Sequence, residues 1–361
     1  MRIGIFDPYL DDLGGGEKYM MMVASCLAKR HEVTVFWDKK EDVKAVEKRF
    51  GISFEKIAIQ KNIFSPSVNF IKRMRQSRKY DAFVILSDGS IPFVFPAKLF
   101  LHIQQPLSQD KKVKIKDKIK LKYISTIFYN SEFTKHLNDS LFPTVKSTVI
   151  YPPVSLDIRH KTEDIRKENI IIHVGRFRVT NLISGDYKKQ GFMIEAFKKL
   201  VDQGLKDWQF YLAASVKEDD KEAFGMLQKS AKGYPIVFYL NKTSDDLFHL
   251  YRNAKIYWHA SGYGEDLKKY PELAEHFGMT TVEAMSAGVV PIVINAGGQS
   301  EIITDGKNGL LWNTRDELLE KTKKAAYDET LWHNLSQQAI LRANDFSEEK
   351  FIYNIDQLIR L

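Results

Sequence analysis

Val149-Ile150-Tyr151-Pro152-Pro153-Val154 and, beyond a polar stretch over 157–169, Ile170-Ile171-Ile172-His173-Val174 decide how this chain is organised. Consecutive prolines fix φ and remove two backbone donors, so the β-branched run before them cannot continue into a sheet. The charged residues of 157–169 offer no core face. The apolar run that follows is too short for a helix and does not alternate, which is the pattern of a parallel strand buried on both faces. A boundary between two domains therefore lies here. At roughly 150 residues per domain, 361 residues also point to two.

Outward from this boundary, short β-branched runs alternate with amphipathic stretches on both sides. Downstream, helical spacing over 191–205 is followed by strands at 209–213 and 236–240. A helix capped at Thr243-Ser244-Asp245-Asp246 runs to about 253, with a strand at 255–259 after it. Next come a helix over 278–287 ending at Gly288, a strand at 289–294, the turn Ala296-Gly297-Gly298, a short strand at 310–312, and helix to the end. Upstream, strands are expected at 2–6, 32–36, 82–86, 98–102 and 127–129, with helices over 16–29 and after Ser131. Such alternation marks parallel sheets with helices on both faces. The expected class is α/β, with Rossmann-like parallel-sheet domains over 1–155 and 165–345 and a C-terminal helix over 346–361 packing back on the first. Two such domains facing a central cleft would bind ligands beyond the carboxyl ends of their strands.

Composition narrows the function. Hydrophobic residues are 44% and charged residues 28%, ordinary globular usage. The single Cys26 cannot form an internal disulfide and reads as a buried thiol, no Cys/His cluster has zinc spacing, and no metal site is expected. No run approaches the ~20 apolar residues of a membrane span, and 1–6 reads as a core strand rather than a signal peptide. A cytoplasmic protein is expected. The net charge of +8 gathers at Lys72-Arg73-Met74-Arg75 with Arg78-Lys79, and at 111–122. These are solvated helix faces or contacts to an anionic membrane surface, which would place the protein peripherally on the inner face of the cell membrane. No nucleic-acid motif accompanies them.

The residues carrying chemistry lie mainly in the second half. In Glu275-His276-Phe277-Gly278-Met279-Thr280-Thr281-Val282-Glu283, one acid precedes a helix and another sits two turns inside it. Backbone N–H groups at Phe277, Gly278, Met279 and Thr280 would favour an anion or a polarised oxygen, and Gly278 would let a ligand approach the backbone. Carboxylates accept paired hydrogen bonds from hydroxyls, so Glu275 suits a sugar and Glu283 a ribose diol. Val174-Gly175-Arg176 at a strand end and Lys189-Gln190-Gly191 at a helix start supply the fork and the point charge a diphosphate needs. The stretch 177–188 between them leaves Lys188 as an alternative to Lys189. Leu13-Gly14-Gly15-Gly16-Glu17-Lys18 is neither a P-loop nor a Gly-x-Gly-x-x-Gly turn, yet Gly15 and Gly16 permit close approach to phosphate or substrate. Trp258 and Tyr263 are read either as stacking platforms or as core.

With these residues, the chain resembles the family-four retaining glycosyltransferases of the GT-B fold. Their signature is an acid, seven residues, a second acid, then Ala-Met-x-Ala-Gly and Pro. It is matched here by Glu275, Glu283, Ala284-Met285-Ser286-Ala287-Gly288 and Pro291. Gly297-Gly298-Gln299-Ser300-Glu301 and Asn308-Gly309-Leu310-Leu311 are similar as well. The resemblance implies that Arg176 and Lys189 hold the donor phosphates and that His102 touches the reacting sugar or orients the acceptor. It implies further that Ser131 faces the donor, and that transfer retains configuration. The donor would be a GDP- or UDP-sugar with no other cofactor, and the acceptor a glycan or lipid-linked glycan of cell-surface polysaccharide or glycolipid synthesis. The Glu275-His276-Phe277-Gly278 segment, found in mannosyltransferase relatives, favours mannose as the hexose. Other readings are another GT-B enzyme such as a phosphorylase or sugar-nucleotide epimerase, a non-catalytic nucleotide-sugar-binding module, and a nucleic-acid-binding protein.

Overall fold

A computed structural model describes residues 1–12, 14–107, 120–154, 167–179 and 186–360. The chain divides into two compact units, Met1–Pro153 with Glu348–Leu361, and Val154–Ser347. The turnover from one unit to the other falls at the proline pair.

In the first unit the strands are β1 (Arg2–Phe6), β2 (Glu32–Phe36), β3 (Ile57–Gln60), β4 (Ala82–Leu86), β5 (Lys98–Ile103), β6 (Thr126–Tyr129) and β7 (Ser147–Val149). They form one parallel sheet in the order β3-β2-β1-β4-β5-β6-β7. Strand order reverses between β1 and β4, which opens a crevice at their carboxyl ends. Helices α1 (Gly15–Ala28), α2 (Lys40–Phe50), α3 (Phe70–Ser77) and α4 (Glu132–Asn138) join them. The central strands are buried on both faces; all five residues of β4 are inaccessible, as a parallel sheet between helix layers requires. Cys26 lies in α1 with little exposure, and burial pushes its thiol up to about 12, so it is an inert core residue.

The second unit repeats the scheme. Strands β8 (Glu168–Phe177), β9 (Gln209–Val216), β10 (Ile236–Leu240), β11 (Ala254–His259), β12 (Val290–Ile294) and β13 (Leu310–Trp312) pair in the order β10-β9-β8-β11-β12-β13. All are parallel, and the order reverses between β8 and β11. Helices α5 (Gln190–Asp202), α6 (Lys221–Ser230), α7 (Ser244–Asn253), α8 (Met279–Ser286), α9 (Gln299–Ile302), α10 (Arg315–Tyr327) and α11 (Glu329–Ala343) cover it. Helix α5 shows why these segments are helices: Met193, Ile194, Phe197 and Leu200 recur at helical spacing and are all fully buried. Each such side chain contributes about 1.5–3 kcal/mol of burial. Thr243 caps α7 with its side chain and Asp246 returns the bond, a reciprocal capping box.

The last helix, α12 (Glu348–Arg360), belongs to the first unit. Phe351 packs edge-on against Tyr19 of α1 with ring centres 5.2 Å apart, and Arg30 bonds Asp356 at 2.5 Å.

Candidate active site

The second unit gathers its chemistry at the crevice between β8 and β11. Arg176 is exposed near the end of β8, and His259 is the last residue of β11. Glu275 sits in the loop before α8. Its Oε2 accepts from Lys188 Nζ at 2.5 Å and lies 2.9 Å from His259 Nε2. Lys188 and Glu275 keep side-chain exposures of 14% and 18%, so the pair is sheltered yet reachable from solvent. Burial alone would push the Glu275 carboxyl up, but the Lys188 ammonium and the His259 hydrogen bond hold it well below the usual carboxylate range. Lys188 is the mirror case. Burial opposes its charge, Glu275 more than restores it, and the nearby Arg176 acts against it. His259 is pushed down by burial, an effect only partly offset by Glu275, so its imidazole is neutral at pH 7. Behind it, burial drives His173 down to about 3; its Nδ1 is 2.9 Å from the Trp258 carbonyl oxygen. Gly175 is a glycine because a Cβ there would meet His173 Nε2 at 2.9 Å.

Lys189, given the phosphate role in the sequence, turns instead to Glu265, and it is Lys188 that joins Glu275. The reason is backbone geometry. Lys189 is the residue preceding α5 and adopts φ +58°, in the left-handed region, which directs adjacent side chains apart. The start of α5 is also already occupied. Asp186 Oδ2 accepts the Gly191 N–H at 2.7 Å, and burial raises its carboxyl against the pull of these backbone donors. No sequence signal beyond a polar linker marks Asp186.

The second acid and the helix start are built differently. Gly278 precedes α8 with φ +119°, and no side chain caps that end. Gly278 is the residue expected to let a ligand approach the backbone. The space a Cβ would fill is taken by Gln299 Nε2, at 2.7 Å, so the glycine serves packing. Gln299 is in turn held by the Thr281 hydroxyl at 2.9 Å. Gly297 and Gly298 press on the backbone of the Glu275 loop: a Cβ on Gly297 would meet the Glu275 carbonyl oxygen at 2.3 Å, and one on Gly298 the Phe277 Cα at 2.5 Å. The Gly298 N–H also donates to the Glu275 carbonyl at 2.8 Å. Thus the Gly-Gly-Gln turn is the brace that sets Glu275. The Phe277 ring is buried against Phe346, so only its backbone can face a ligand. Glu283, half-buried in α8, acts on the buried Tyr251 hydroxyl, and Thr280 bonds the Tyr257 hydroxyl at 2.8 Å. Met279 opens α8. Trp258 is core, donating to Thr322 at 3.1 Å, whereas the partly buried Tyr263 lies tilted against Phe192 with ring centres 4.2 Å apart.

In the first unit, Asp7 follows β1 at the β1/β4 crevice, and Gly15 and Gly16 open α1. Gly15 is exposed, but a Cβ on Gly16 would run into the Gln104 amide at 2.0 Å, so Gly16 too is a packing glycine. Gly14 donates to Glu17 Oε2 at 2.5 Å. Asp7 is 1% exposed; burial first, then the charge of Glu17, pushes it up to about 8. His102 is the residue expected to touch the reacting sugar or orient the acceptor. Its ring is fully buried, stacked on Tyr19 at 4.1 Å and on Phe128 at 4.7 Å, with Nδ1 3.1 Å from the Phe128 carbonyl. Burial takes it down to about 3, so it is a neutral core ring. Ser131 is likewise buried and caps α4 through the Thr134 N–H at 3.0 Å. Among the described residues, no group of His, Cys, Asp or Glu is arranged to hold a metal ion.

The chain is similar to several known proteins. A "GDP-Man:Man(3)GlcNAc(2)-PP-Dol alpha-1,2-mannosyltransferase" of Dictyostelium discoideum is 24% identical over 213 residues, 56% of this chain and 40% of the relative. A sucrose synthase of Denitrovibrio acetiphilus is 41% identical over 81 residues, 21% of this chain and 10% of the relative. The chain thus spans less than half the length of these relatives. Anabaena Alr3699/HepE, solved in complex with UDP, superposes with a TM-score of 0.75 at 17% identity, covering all of both chains, and shares the two-sheet GT-B architecture. The family described as "Glycosyl transferases group 1" matches residues 155–342, which is more than half of the chain and includes the whole Arg176–Lys188–His259–Glu275 cluster. The chain belongs to the glycosyl transferases group 1 family.

Proposed function

We propose that the protein transfers a hexose from a nucleoside-diphosphate sugar, with retention of configuration, to a glycan or lipid-linked acceptor at the inner face of the cell membrane. One observation carries the donor site: the Lys188–Glu275–His259 cluster beside Arg176, at the carboxyl ends of β8 and β11. Arg176 and Lys188 hold the diphosphate, and their charge stabilises it as the glycosidic bond breaks. Glu275, kept ionised, accepts from donor sugar hydroxyls, and the backbone at Gly278–Met279 approaches the same group. Glu283 takes the ribose diol. The acceptor oxygen forms its bond to the anomeric carbon as that carbon's bond to the diphosphate breaks, and the acceptor proton passes to the departing phosphate oxygen on the same face. The first unit takes the acceptor, with Gly15 at its exposed rim.

Mannose is the favoured hexose, supported by the Glu275-His276-Phe277-Gly278 segment and by the GDP-mannose named for the Dictyostelium relative. The UDP bound to Anabaena HepE keeps a UDP-sugar as the second donor reading. A thermal-shift screen of GDP, UDP, ADP and their sugar conjugates tests the site, with Arg176→Ala and Glu283→Ala alongside. The expected result is a large shift with one base, lost in both variants. Absence of any shift with folded protein would sink the donor site and favour a module without this activity.

A further inference from the structure

Among the described residues, eleven large apolar side chains are exposed, and four of them fall in one place on the first unit: Phe70, Ile71, Phe93 and Tyr123. Their exposures run from 40% for Phe93 to 63% for Ile71. They come from three separate segments: the start of α3, the loop over 91–97, and 120–123. The segments touch through their rings. Phe70 meets Phe93 edge-on at 5.7 Å, and Phe95 meets Tyr123 at 5.6 Å. The Phe95 N–H donates to Ser77 Oγ at 3.0 Å, which fastens the loop to α3. The patch is therefore fixed by the fold, not a chance scatter of surface residues. A cluster of exposed rings on a monomer marks an interaction site.

Its rim is cationic. Lys72, Arg75, Arg78 and Lys122 are all exposed, and among the described residues none of them pairs with a carboxylate. Lys120 Nζ sits 4.4 Å over the Phe93 ring, and the Arg78 guanidinium 5.7 Å from the Phe95 ring. Helix α3 explains the layout. Arg73 turns inward, its Nε donating to the Ile63 carbonyl at 3.0 Å, while Ile71, Lys72, Arg75 and Arg78 face out. Aromatic and aliphatic groups ringed by unpaired cations fit the interfacial zone of a bilayer, where rings enter the acyl boundary and cations meet headgroup phosphates. A protein partner would need matching acids and a matching apolar socket; nucleic acid would use the cations and could stack on the rings but would leave Ile71 wet.

We propose that this face docks on an anionic phospholipid surface, with Phe70, Ile71, Phe93 and Tyr123 inserted and the four cations on the headgroups. It deepens the reading of a membrane-borne acceptor, but is measured without donor or transfer. The Lys-rich stretch 111–119 lies outside the described residues and is not used. The test is sedimentation of the whole protein with vesicles of phosphatidylcholine alone, and with about one third phosphatidylglycerol, at low and high salt. Binding is expected only to the anionic vesicles, falling with salt. Arg75→Glu with Arg78→Glu should weaken it at least 25-fold, at about five-fold for each cation removed. Phe70→Ser with Ile71→Ser should weaken it about ten-fold or more and leave the salt dependence unchanged. Lys229→Glu with Lys232→Glu, exposed on the other unit, serves as the control and should bind as wild type.

Wild type that ignores anionic vesicles, equal loss in the control, or aromatic variants that bind undiminished would each overturn the proposal. So would retention on a single-stranded RNA at salt where vesicles release the protein. Nucleotide-induced thermal shifts in the same variants report folding and the donor site. Vesicle binding without a nucleotide shift would leave this surface standing and remove the donor reading, and the reverse result would do the opposite.

Discussion

Replacing Lys188 and Lys189 one at a time separates two adjacent lysines that the sequence cannot rank. Lys188→Met removes the ammonium 2.5 Å from Glu275 Oε2, in a pair with side-chain exposures of 14% and 18%. Breaking a buried pair from one side costs about 3–5 kcal/mol when the remaining charge has no other partner. Here Glu275 keeps His259 at 2.9 Å, so the stability loss should stay at the lower end, about 3 kcal/mol. The larger signature is in binding. A charge-assisted hydrogen bond to a diphosphate is worth about 1.5–3 kcal/mol, or roughly 10- to 150-fold in Kd. Titration calorimetry with the preferred nucleoside diphosphate should show that loss for Lys188→Met and less than about three-fold for Lys189→Met. A second readout is independent of ligand. Lys188 depresses the His259 imidazole, and removing it should move the His259 titration upward in an NMR pH series. If Lys189→Met loses as much nucleotide affinity as Lys188→Met, or if His259 does not move, the assignment of Lys188 to the donor phosphates is wrong.

Two further outcomes follow from the same geometry. Asp7 is raised by burial and by Glu17 to about 8, so the folded state keeps a proton that the unfolded chain gives up from about pH 4. Stability should therefore fall as pH rises through this window. Asp7→Asn should remove up to about 5 kcal/mol of that fall, matching wild type near pH 4 and exceeding it above pH 8. Urea unfolding at pH 4.5 and 8.5 checks this, and an equal difference at both values would refute it. Gly298→Ala places a Cβ against the Phe277 Cα at 2.5 Å and the His276 carbonyl at 2.6 Å, both backbone. It should cost about 2–3 kcal/mol and weaken nucleotide binding by shifting Glu275. Gly225→Ala, in helix α6 with nothing within 4 Å, should instead stabilise by about 0.4–1 kcal/mol. Thermal melts of the two variants side by side decide it.

Periodicity and punctuation were enough for the architecture. Central strands such as Arg2–Phe6, Ala82–Leu86 and Val290–Ile294 are apolar runs between turn residues, and a parallel strand under two helix layers has no other composition open to it. The prolines at 152 and 153 stop one sheet because they cannot donate to it. The strands that escape such reading are β3 and β7 at the sheet edges, where half-solvated residues carry no clear pattern. The family signature was also legible, since it is a spacing of residue types along one segment. What the chain could not show by itself is direction. The left-handed turn at Lys189 sends one lysine to Glu265 and its neighbour to Glu275, and the Gly-Gly-Gln turn proves to be a brace only because 275–277 folds across it. His102 and Ser131 have the right types for a site, yet a ring stack and a helix cap bury them. Likewise, the exposed apolar side chains of 70, 71, 93 and 123 are unremarkable in sequence and become one surface because three segments meet there. Residue type and spacing are local properties of the chain. Burial, pairing and the facing of side chains depend on which distant segments share a volume, and only the tertiary fold decides that.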